Sequence, residues 1–165
     1  MPQTSVPFKV GDHVVYPSQG AGKIIGMTER PVLGVPQQFF EIELMKGSMV
    51  VLVPIAQAER VGLRRITVAK RIPELLESLH PPDLDLPAGW TPRHRKEQLL
   101  ISEGDIFLVA KLVGTLQRRD LEKALSATER KIMDDARHMV TTEIAMSLEI
   151  SLEEATKKIS AALGN

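Results

Sequence analysis

The chain has 165 residues, of which 43% are hydrophobic, and its 21 basic and 21 acidic side chains give a formal net charge of zero. A neutral chain is not a general nucleic-acid coat, so any contact with DNA or RNA must come from a local patch. The absence of cysteine excludes disulfides, thiolate zinc sites and cysteine nucleophiles. No apolar run is long enough to span a membrane and the first ten residues lack signal-peptide character, which predicts a cytoplasmic globular protein without a membrane partner.

Short apolar runs separated by Gly and Pro characterise residues 8–63. The runs cover residues 13–16, 23–28, 38–44 and 49–53, with turns every 8 to 12 residues. Gly20 and Gly22 are interpreted as a turn, and Pro31, Gly34 and Pro36 as a loop. Four or five strands of this length predict a small antiparallel β barrel of Tudor or SH3 type, and we expect it to form a domain of residues 1–65.

From residue 67 onward the apolar residues recur with the 3.6-residue period of a helix. Asp105 is expected to open one helix, and Ser126 and Ser151, each with Glu three residues later, indicate capping boxes. Gly104 and Gly164 are expected at helix ends. The fold class is therefore α+β with two domains, the second being an all-α helical bundle of residues 66–165.

Trp90, the only tryptophan, lies where the first long helix is expected to begin. Thr91 is predicted as the N-cap and Pro92 as the first helical residue. The first turn then carries three cations, although the helix dipole favours anions there. The residues are Arg93, Arg95 and Lys96. A large ring beside cations and free backbone N–H groups suits a phosphate-rich, stacked polymer. Alternatively Trp90 is structural, although a hydrophobic staple would need an apolar residue at the position of Arg95.

Motifs for catalysis are absent from the sequence. The four histidines are scattered, and Gly20-Ala21-Gly22 has no Rossmann or P-loop continuation, so it is more typical of a strand turn. Asp134 and Asp135 are adjacent on a helix and cannot both face one substrate, and no carboxylate pair is predicted to be buried together. We therefore expect no enzyme, metal site, cofactor or small-molecule substrate.

Several segments together resemble the CarD family of bacterial transcription regulators, also called CdnL. They are FKVGDHVVYPSQGAGKI at residues 8–24, VPIAQAERVGLR at 53–64, GWTPRHRK at 89–96 and LSATERK at 125–131. The first segment is also similar to the polymerase-interacting domain of transcription-repair coupling factors. The tryptophan followed by basic residues and the helical C-terminal half favour CarD.

For the helical domain, the resemblance implies binding to promoter DNA. Its tryptophan would wedge into the minor groove at the upstream edge of the melted −10 region and stabilise the open complex. Trp90 takes that role, and nearby cations are expected to contact phosphates. These cations are Arg93, Arg95 and Lys96, with Arg130 and Lys131 as further DNA-binding candidates. Pro92 stands where a relative can carry Arg, which removes one charge from the patch.

For the N-terminal domain, the resemblance implies binding to the β subunit of RNA polymerase. Arg30 matches a polymerase-contact position of the family. The strand that would face the polymerase contains Met49, Val50, Val51 and Leu52. Leu52 stands where some relatives carry Arg, so the polarity of this contact is left open.

Two other functions are compatible with the residues. A protein adaptor of the repair-coupling type would bind polymerase without touching DNA and would leave Trp90 structural. An RNA-binding module would use the small barrel as its reader, but its strands offer few suitable side chains beyond Tyr16, Lys23 and Phe39. Substitution of Trp90 separates the adaptor from the DNA-binding regulator.

Overall fold

A computed structural model describes residues 8–17 and 19–164 of the chain. The chain divides into two compact units, Met1–Ile66 and Thr67–Asn165. The first is built on an antiparallel sheet and the second is helical. The predicted fold class, strands followed by a helical bundle, is confirmed.

The sheet has five strands in the order β4-β3-β2-β1-β5. Their bounds are β1 His13–Tyr16, β2 Gly20–Val32, β3 Val35–Leu44, β4 Val50–Pro54 and β5 Arg64–Arg65, with single 3-10 turns at Lys46–Ser48 and Ile55–Gln57. Apolar side chains from one face form the core, where Phe8 packs edge-on against Phe40. Strand β4 is an edge of this sheet, so its outer side has no strand neighbour among the described residues.

The turn predicted at Gly20 and Gly22 is wrong, and the loop predicted around Gly34 is reduced to the two-residue turn Leu33–Gly34. Gly20 and Gly22 belong to β2, and the presumed loop is the far end of one long β2–β3 hairpin. Pro31 and Pro36 pair with each other there, beyond the reach of β1 and β4, so a missing N–H removes no bond to a third strand. Gly22 is needed because a Cβ atom would lie 2.7 Å from the Glu43 carbonyl oxygen.

Five helices make up the second unit. Their bounds are α1 Ile72–Glu77, α2 Trp90–Glu103, α3 Ile106–Glu122, α4 Ala127–Leu148 and α5 Leu152–Leu163, with a 3-10 turn at Ala69–Arg71. The predicted caps form, since Asp105, Ser126 and Ser151 each accept a backbone N–H at the start of α3, α4 and α5. Helices α3 and α4 pack together, α2 contacts both, and α5 packs on α4 and α1. Apolar side chains such as Leu112 and Ile144 fill the core between them.

The segment between α1 and α2 is held against α3 by polar contacts. Arg118 donates to the Leu79 carbonyl oxygen at 2.8 Å and to the Asp83 carboxylate at 2.6 Å, and Leu84 N–H donates to the Thr115 hydroxyl at 3.0 Å. These contacts determine where the chain enters α2. They therefore also help to determine where Trp90 lies.

Within residues 8–17 and 19–164, no helix is long and apolar enough to cross a membrane. The same residues contain no cluster of three or more histidine or acidic side chains that could hold a metal ion. The polar features of the helical unit are therefore best examined at the start of α2.

Candidate nucleic-acid interface

Helix α2 begins at Trp90 itself, two residues earlier than predicted. Gly89 is the N-cap, with extended backbone angles, and no side chain caps the helix. Thr91 is therefore not the N-cap and Pro92 is not the first helical residue. The first hydrogen bond of the helix runs from Arg93 N–H to the Gly89 carbonyl oxygen. A glycine N-cap has no side-chain acceptor. The N–H groups of Trp90 and Thr91 therefore receive no hydrogen-bond acceptor from the capping residue.

The Trp90 side chain is 54% exposed, so it is not a core residue. Its indole stacks on the imidazole of His94, one turn further along α2, with ring centroids 5.2 Å apart and an interplanar angle of 22°. A large aromatic ring at the surface is uncommon for a purely structural residue. The geometry agrees with a ring that is presented to a partner.

Arg93 requires a correction, because its side chain points into the protein rather than toward solvent. Its guanidinium forms a two-pronged ion pair with the Glu129 carboxylate of α4, at 3.0 and 3.1 Å. The remaining nitrogen donates to the Ala88 carbonyl oxygen at 2.9 Å. With 7% of its surface exposed and its guanidinium paired, Arg93 connects α2 to α4, which argues against its predicted role as a phosphate contact.

A buried carboxylate, Glu97, lies one turn after Arg93 and was missed by the sequence analysis. Its side chain has no exposed surface, no N–H group of the described residues donates to its carboxylate, and Arg93 approaches only to 3.9 Å, so its hydrogen-bonding neighbour is the Glu129 carboxylate. Glu129 is also buried, so the expectation that no carboxylate pair is buried together is wrong. Helix periodicity could have indicated it, since Glu97 falls on the same face as Arg93 and Leu100.

The pKa values of the two carboxyl groups, Glu97 and Glu129, are shifted in opposite directions. Burial raises the pKa of Glu97 to about 7, and the neighbouring Glu129 carboxylate adds to the shift, while Arg93 and Arg119 oppose it. The hydrogen bonds from Arg93 hold the pKa of Glu129 below its usual value. Glu129 is therefore the charged partner of Arg93, and Glu97 carries a proton over much of the range below neutral pH.

The other predicted cations differ in how freely they face solvent. Arg95 is exposed and has no ion-pair partner within the described part of the chain. Lys96 is half-buried, and its Nζ donates to the Asp85 carbonyl oxygen at 2.6 Å. Arg130 and Lys131 are exposed but form ion pairs with Asp120 at 3.0 Å and Asp135 at 3.2 Å. Such surface pairs are weak, so they do not prevent phosphate binding, but they lower the local positive charge.

A cleft of about 510 Å³ opens beside Trp90, between the end of α3 and the start of α4. Its walls carry Arg119 of α3 and Lys123, which directly follows α3, together with the acidic side chains Glu122 and Glu129. The sequence analysis did not select either basic residue, because each lies about thirty positions from the Trp90 segment. The structure places both of them with Trp90 on the walls of one cleft.

The residues predicted to bind polymerase lie on the β2–β3–β4 face. Met49, Val50 and Leu52 are exposed, whereas Val51 is half-buried and packs against the core. The strand is shifted by one residue from the prediction, to Val50–Pro54. Leu52 and Val50 pair with Glu41 and Glu43 of β3, so apolar and acidic side chains alternate across this face.

Arg30 is not part of the same patch. It is exposed on β2 and pairs with Gln37, two positions beyond the Thr28–Phe39 pair where β4 ends. Arg30 therefore lies further along the two-stranded part of the hairpin. The apex of that hairpin is Leu33, whose side chain is fully exposed.

Comparisons with known proteins agree with this architecture. The family model described as "CarD, C-terminal domain" matches residues 74–160, and the one described as "CarD-like/TRCF RID domain" matches residues 8–67. YdeB of Bacillus subtilis (strain 168), whose name describes it as a candidate transcription factor, is 29% identical over 137 residues, covering 83% of this chain and 90% of YdeB.

Two solved structures from Myxococcus xanthus are similar to part of the chain. The 72-residue N-terminal domain of CarD is 31% identical and covers 39% of this chain and 89% of its own, with a TM-score of 0.32. The structure named CdnLNt is 35% identical and covers 40% of this chain and 93% of its own, also with a TM-score of 0.32.

The two family models together account for most of the chain and follow the order of the two units. They define the class as bacterial transcription regulators rather than any known class of enzyme. The protein belongs to the CarD family.

We expect Arg93→Ala to lower stability and Arg95→Ala to weaken DNA binding. Arg93→Ala leaves buried carboxylates without their cation and should lower the free energy of unfolding by about 3 to 5 kcal/mol. Arg95→Ala should change stability by less than about 0.5 kcal/mol, because the side chain is exposed. If Arg95 contacts one phosphate, its loss should also reduce the slope of log affinity against log salt by about one.

Denaturant unfolding and DNA titrations at several salt concentrations measure both effects. Equal stability of the two variants would contradict the structural role of Arg93. An unchanged salt slope for Arg95→Ala would place the phosphate contacts elsewhere, with Arg119 and Lys123 as the next candidates.

Glu97 is expected to make the protein less stable as the pH rises toward neutrality. Its pKa is raised in the folded state, so between about pH 4.5 and 7 the folded protein binds more protons than the unfolded chain. The free energy of unfolding should fall across this range by up to about 1.4 kcal/mol per pH unit and then level off. Glu97→Gln, which cannot ionise, should remove this slope.

Melting temperatures at pH 5, 6, 7 and 8 provide the measurement. Glu103→Gln, an exposed substitution at the end of the same helix, is the matched control and should keep the wild-type pH profile. Parallel profiles for wild type and Glu97→Gln would show that Glu97 is ionised throughout.

Proposed function

We propose that this protein is a transcription-initiation regulator that binds the RNA polymerase β subunit and promoter DNA at the same time. Residues 1–65 form the polymerase-binding domain, and residues 66–165 form the DNA-binding domain. Trp90 wedges into the minor groove at the upstream edge of the melted −10 region and stabilises the open complex. In the cell this places the protein in the cytoplasm, at the nucleoid.

The exposed Trp90 ring is the observation that carries the proposal. More than half of its surface is accessible although it is the largest apolar side chain in its unit. It stands at the start of a helix without a side-chain cap, where backbone N–H groups and the dipole attract phosphate. Arg95, five positions after Trp90 on the same helix, adds an exposed cation.

The small number of free cations indicates that DNA binding is weak by itself. With few phosphate contacts, affinity is expected at the non-specific level, with a dissociation constant of about 10⁻⁴ to 10⁻⁶ M. Tethering through polymerase supplies an effective concentration of about 1 mM, enough to fill such a site. The two domains are therefore expected to depend on each other for stable binding.

The location at a bubble edge explains why the open complex would be favoured. In closed duplex, insertion must first unstack a base step, which costs a few kcal/mol, whereas at the edge of the bubble the stack is already broken. Stacking of the indole on a base contributes about 1 to 3 kcal/mol. Because a ligand shifts an equilibrium only by its differential affinity, open complexes should be favoured by about 5- to 150-fold.

The exposed edge of the N-terminal sheet supports the polymerase assignment. Unpaired edge strands with apolar side chains are typical protein-binding surfaces, and here Met49, Val50 and Leu52 provide them. The matched RID family model covers this whole domain. Leu52 makes the contact less polar than an arginine would.

A protein adaptor without DNA contact is the second candidate. It is favoured by the burial of Arg93 and by the acidic partners of Arg130 and Lys131, which leave a thin basic patch. The adaptor would bind polymerase equally well. The adaptor and the DNA-binding regulator differ in the effect of removing the indole, because only the regulator would then lose open-complex stability.

Trp90→Ala is therefore the deciding substitution. We expect the lifetime of the open complex to fall by about 5- to 150-fold, in line with the loss of one stacked ring. Leu99→Ala is a matched control, because Leu99 lies on the same helix and is also 54% exposed. Competitor-challenge lifetimes with purified polymerase, alongside thermal melts of both variants, give the measurement.

If Trp90→Ala lowers the melting temperature but leaves the open-complex lifetime unchanged, Trp90 has a structural role and the adaptor function is favoured. A lifetime that falls equally for Trp90→Ala and Leu99→Ala would indicate a general surface effect.

Introduction of negative charge on the N-terminal domain tests the polymerase contact. In the full chain, Arg30→Glu and Leu52→Glu should each weaken capture of polymerase by at least about tenfold, because each places a charge in an interface. Arg60→Glu, an exposed reversal outside the β2–β3–β4 face, is the control. Pull-down with polymerase measures the effect, and equal capture by all three variants would remove the contact from this face.

A further inference from the structure

The contact between Trp90 and His94 limits how the indole can meet DNA. The two rings are stacked at 5.2 Å and 22°, so the imidazole covers part of one indole face. Trp90 still keeps 54% of its surface exposed, so the contact with His94 leaves much of the ring accessible. A ring inserted between two intact base pairs would need both faces.

The helix turn that carries the imidazole is anchored to the rest of the helical unit. His94 is half-buried, and its Nε2 atom is buried without a hydrogen-bond partner in the described part of the chain. The residue before it, Arg93, is fixed to Glu129 and to the Ala88 carbonyl oxygen. The turn of α2 that carries His94 is therefore anchored to α4 through Arg93, and it places the imidazole beside the indole.

We propose that His94 is a positioning residue for Trp90. Its imidazole backs one face of the indole, so that the ring stacks on the exposed end of an interrupted base-pair stack rather than between two intact pairs. This inference rests on the proposed function, in which Trp90 contacts DNA. It adds a reason for selectivity, because only DNA with a broken stack offers a single free base-pair face.

The helix spacing makes this arrangement possible. Residues four positions apart lie on the same side of a helix, so His94 is next to Trp90 without any contribution from other elements. An aromatic pair of this kind changes an equilibrium by about 2- to 10-fold, which is enough to influence the choice between ring orientations. The effect of His94 on DNA should therefore be smaller than the effect of Trp90.

Three full-length proteins test the proposal: wild type, His94→Ala and His94→Phe. Phe retains a ring that can stack, whereas Ala removes it. The fluorescence of the single tryptophan is first measured in the free protein with acrylamide as quencher. For His94→Ala we expect the quenching constant to rise by less than about twofold, since 54% of Trp90 is already exposed, and for His94→Phe to remain near wild type.

The second measurement compares a forked promoter fragment with the fully paired fragment of the same sequence, each bound in the presence of polymerase. The affinity for the forked fragment divided by the affinity for the paired fragment is expected to fall by about 2- to 10-fold for His94→Ala and to be retained by His94→Phe. Thermal melts verify that both variants are folded. A merely structural His94 would lower the melting temperature but leave this ratio unchanged.

Trp90→Ala, measured in the same binding assay, separates the two proposals. If Trp90→Ala leaves the ratio unchanged, Trp90 does not contact DNA and both proposals fail. If Trp90→Ala lowers the ratio but His94→Ala does not, the wedge stands and the role of His94 is refuted. Unchanged quenching in His94→Ala also refutes the role of His94, whatever the DNA result.

Discussion

The buried ion pair between Arg93 of α2 and Glu129 of α4 is the contact on which the candidate DNA surface depends. It joins the first turn of one helix to the first turn of another, and a third hydrogen bond from Arg93 reaches the Ala88 carbonyl oxygen just before α2. Buried charges are costly to desolvate, so the pair contributes less to stability than to a defined arrangement. It determines where α2 begins and thus where Trp90 is displayed.

This arrangement takes Arg93, one of the predicted DNA-contact cations, away from the protein surface. With Arg93 turned inward and Lys96 donating to a backbone carbonyl, Arg95 is the exposed cation of the run that follows Trp90. Additional positive charge near the indole comes from Arg119 of α3 and from Lys123, the residue that directly follows α3. The candidate DNA surface is therefore built from α2 and the C-terminal end of α3, and its modest charge suits a protein that is recruited by another partner rather than by DNA.

The N-terminal unit presents a different kind of surface. Its edge strand β4 carries apolar side chains beside the acidic residues of β3, and the long β2–β3 hairpin extends past both neighbouring strands. Arg30 lies on that extension and is separated along the sheet from β4. If both contact polymerase, the interface must extend along the hairpin rather than cover only the edge strand.

The sequence by itself determined the fold class and the N-caps of α3, α4 and α5, because period and capping residues are local properties, and it selected Trp90 as a candidate site residue. It also supported the family assignment through segments such as residues 8–24 and 89–96. It misplaced the start of α2, since Gly89 can cap a helix without a side chain, and it read a hairpin with two prolines as a loop. Which cations face solvent was decided by tertiary structure alone. Arg93 and Arg95 are both basic residues of one turn, and only the position of Glu129, 36 residues away in the chain, turns the first inward and leaves the second exposed.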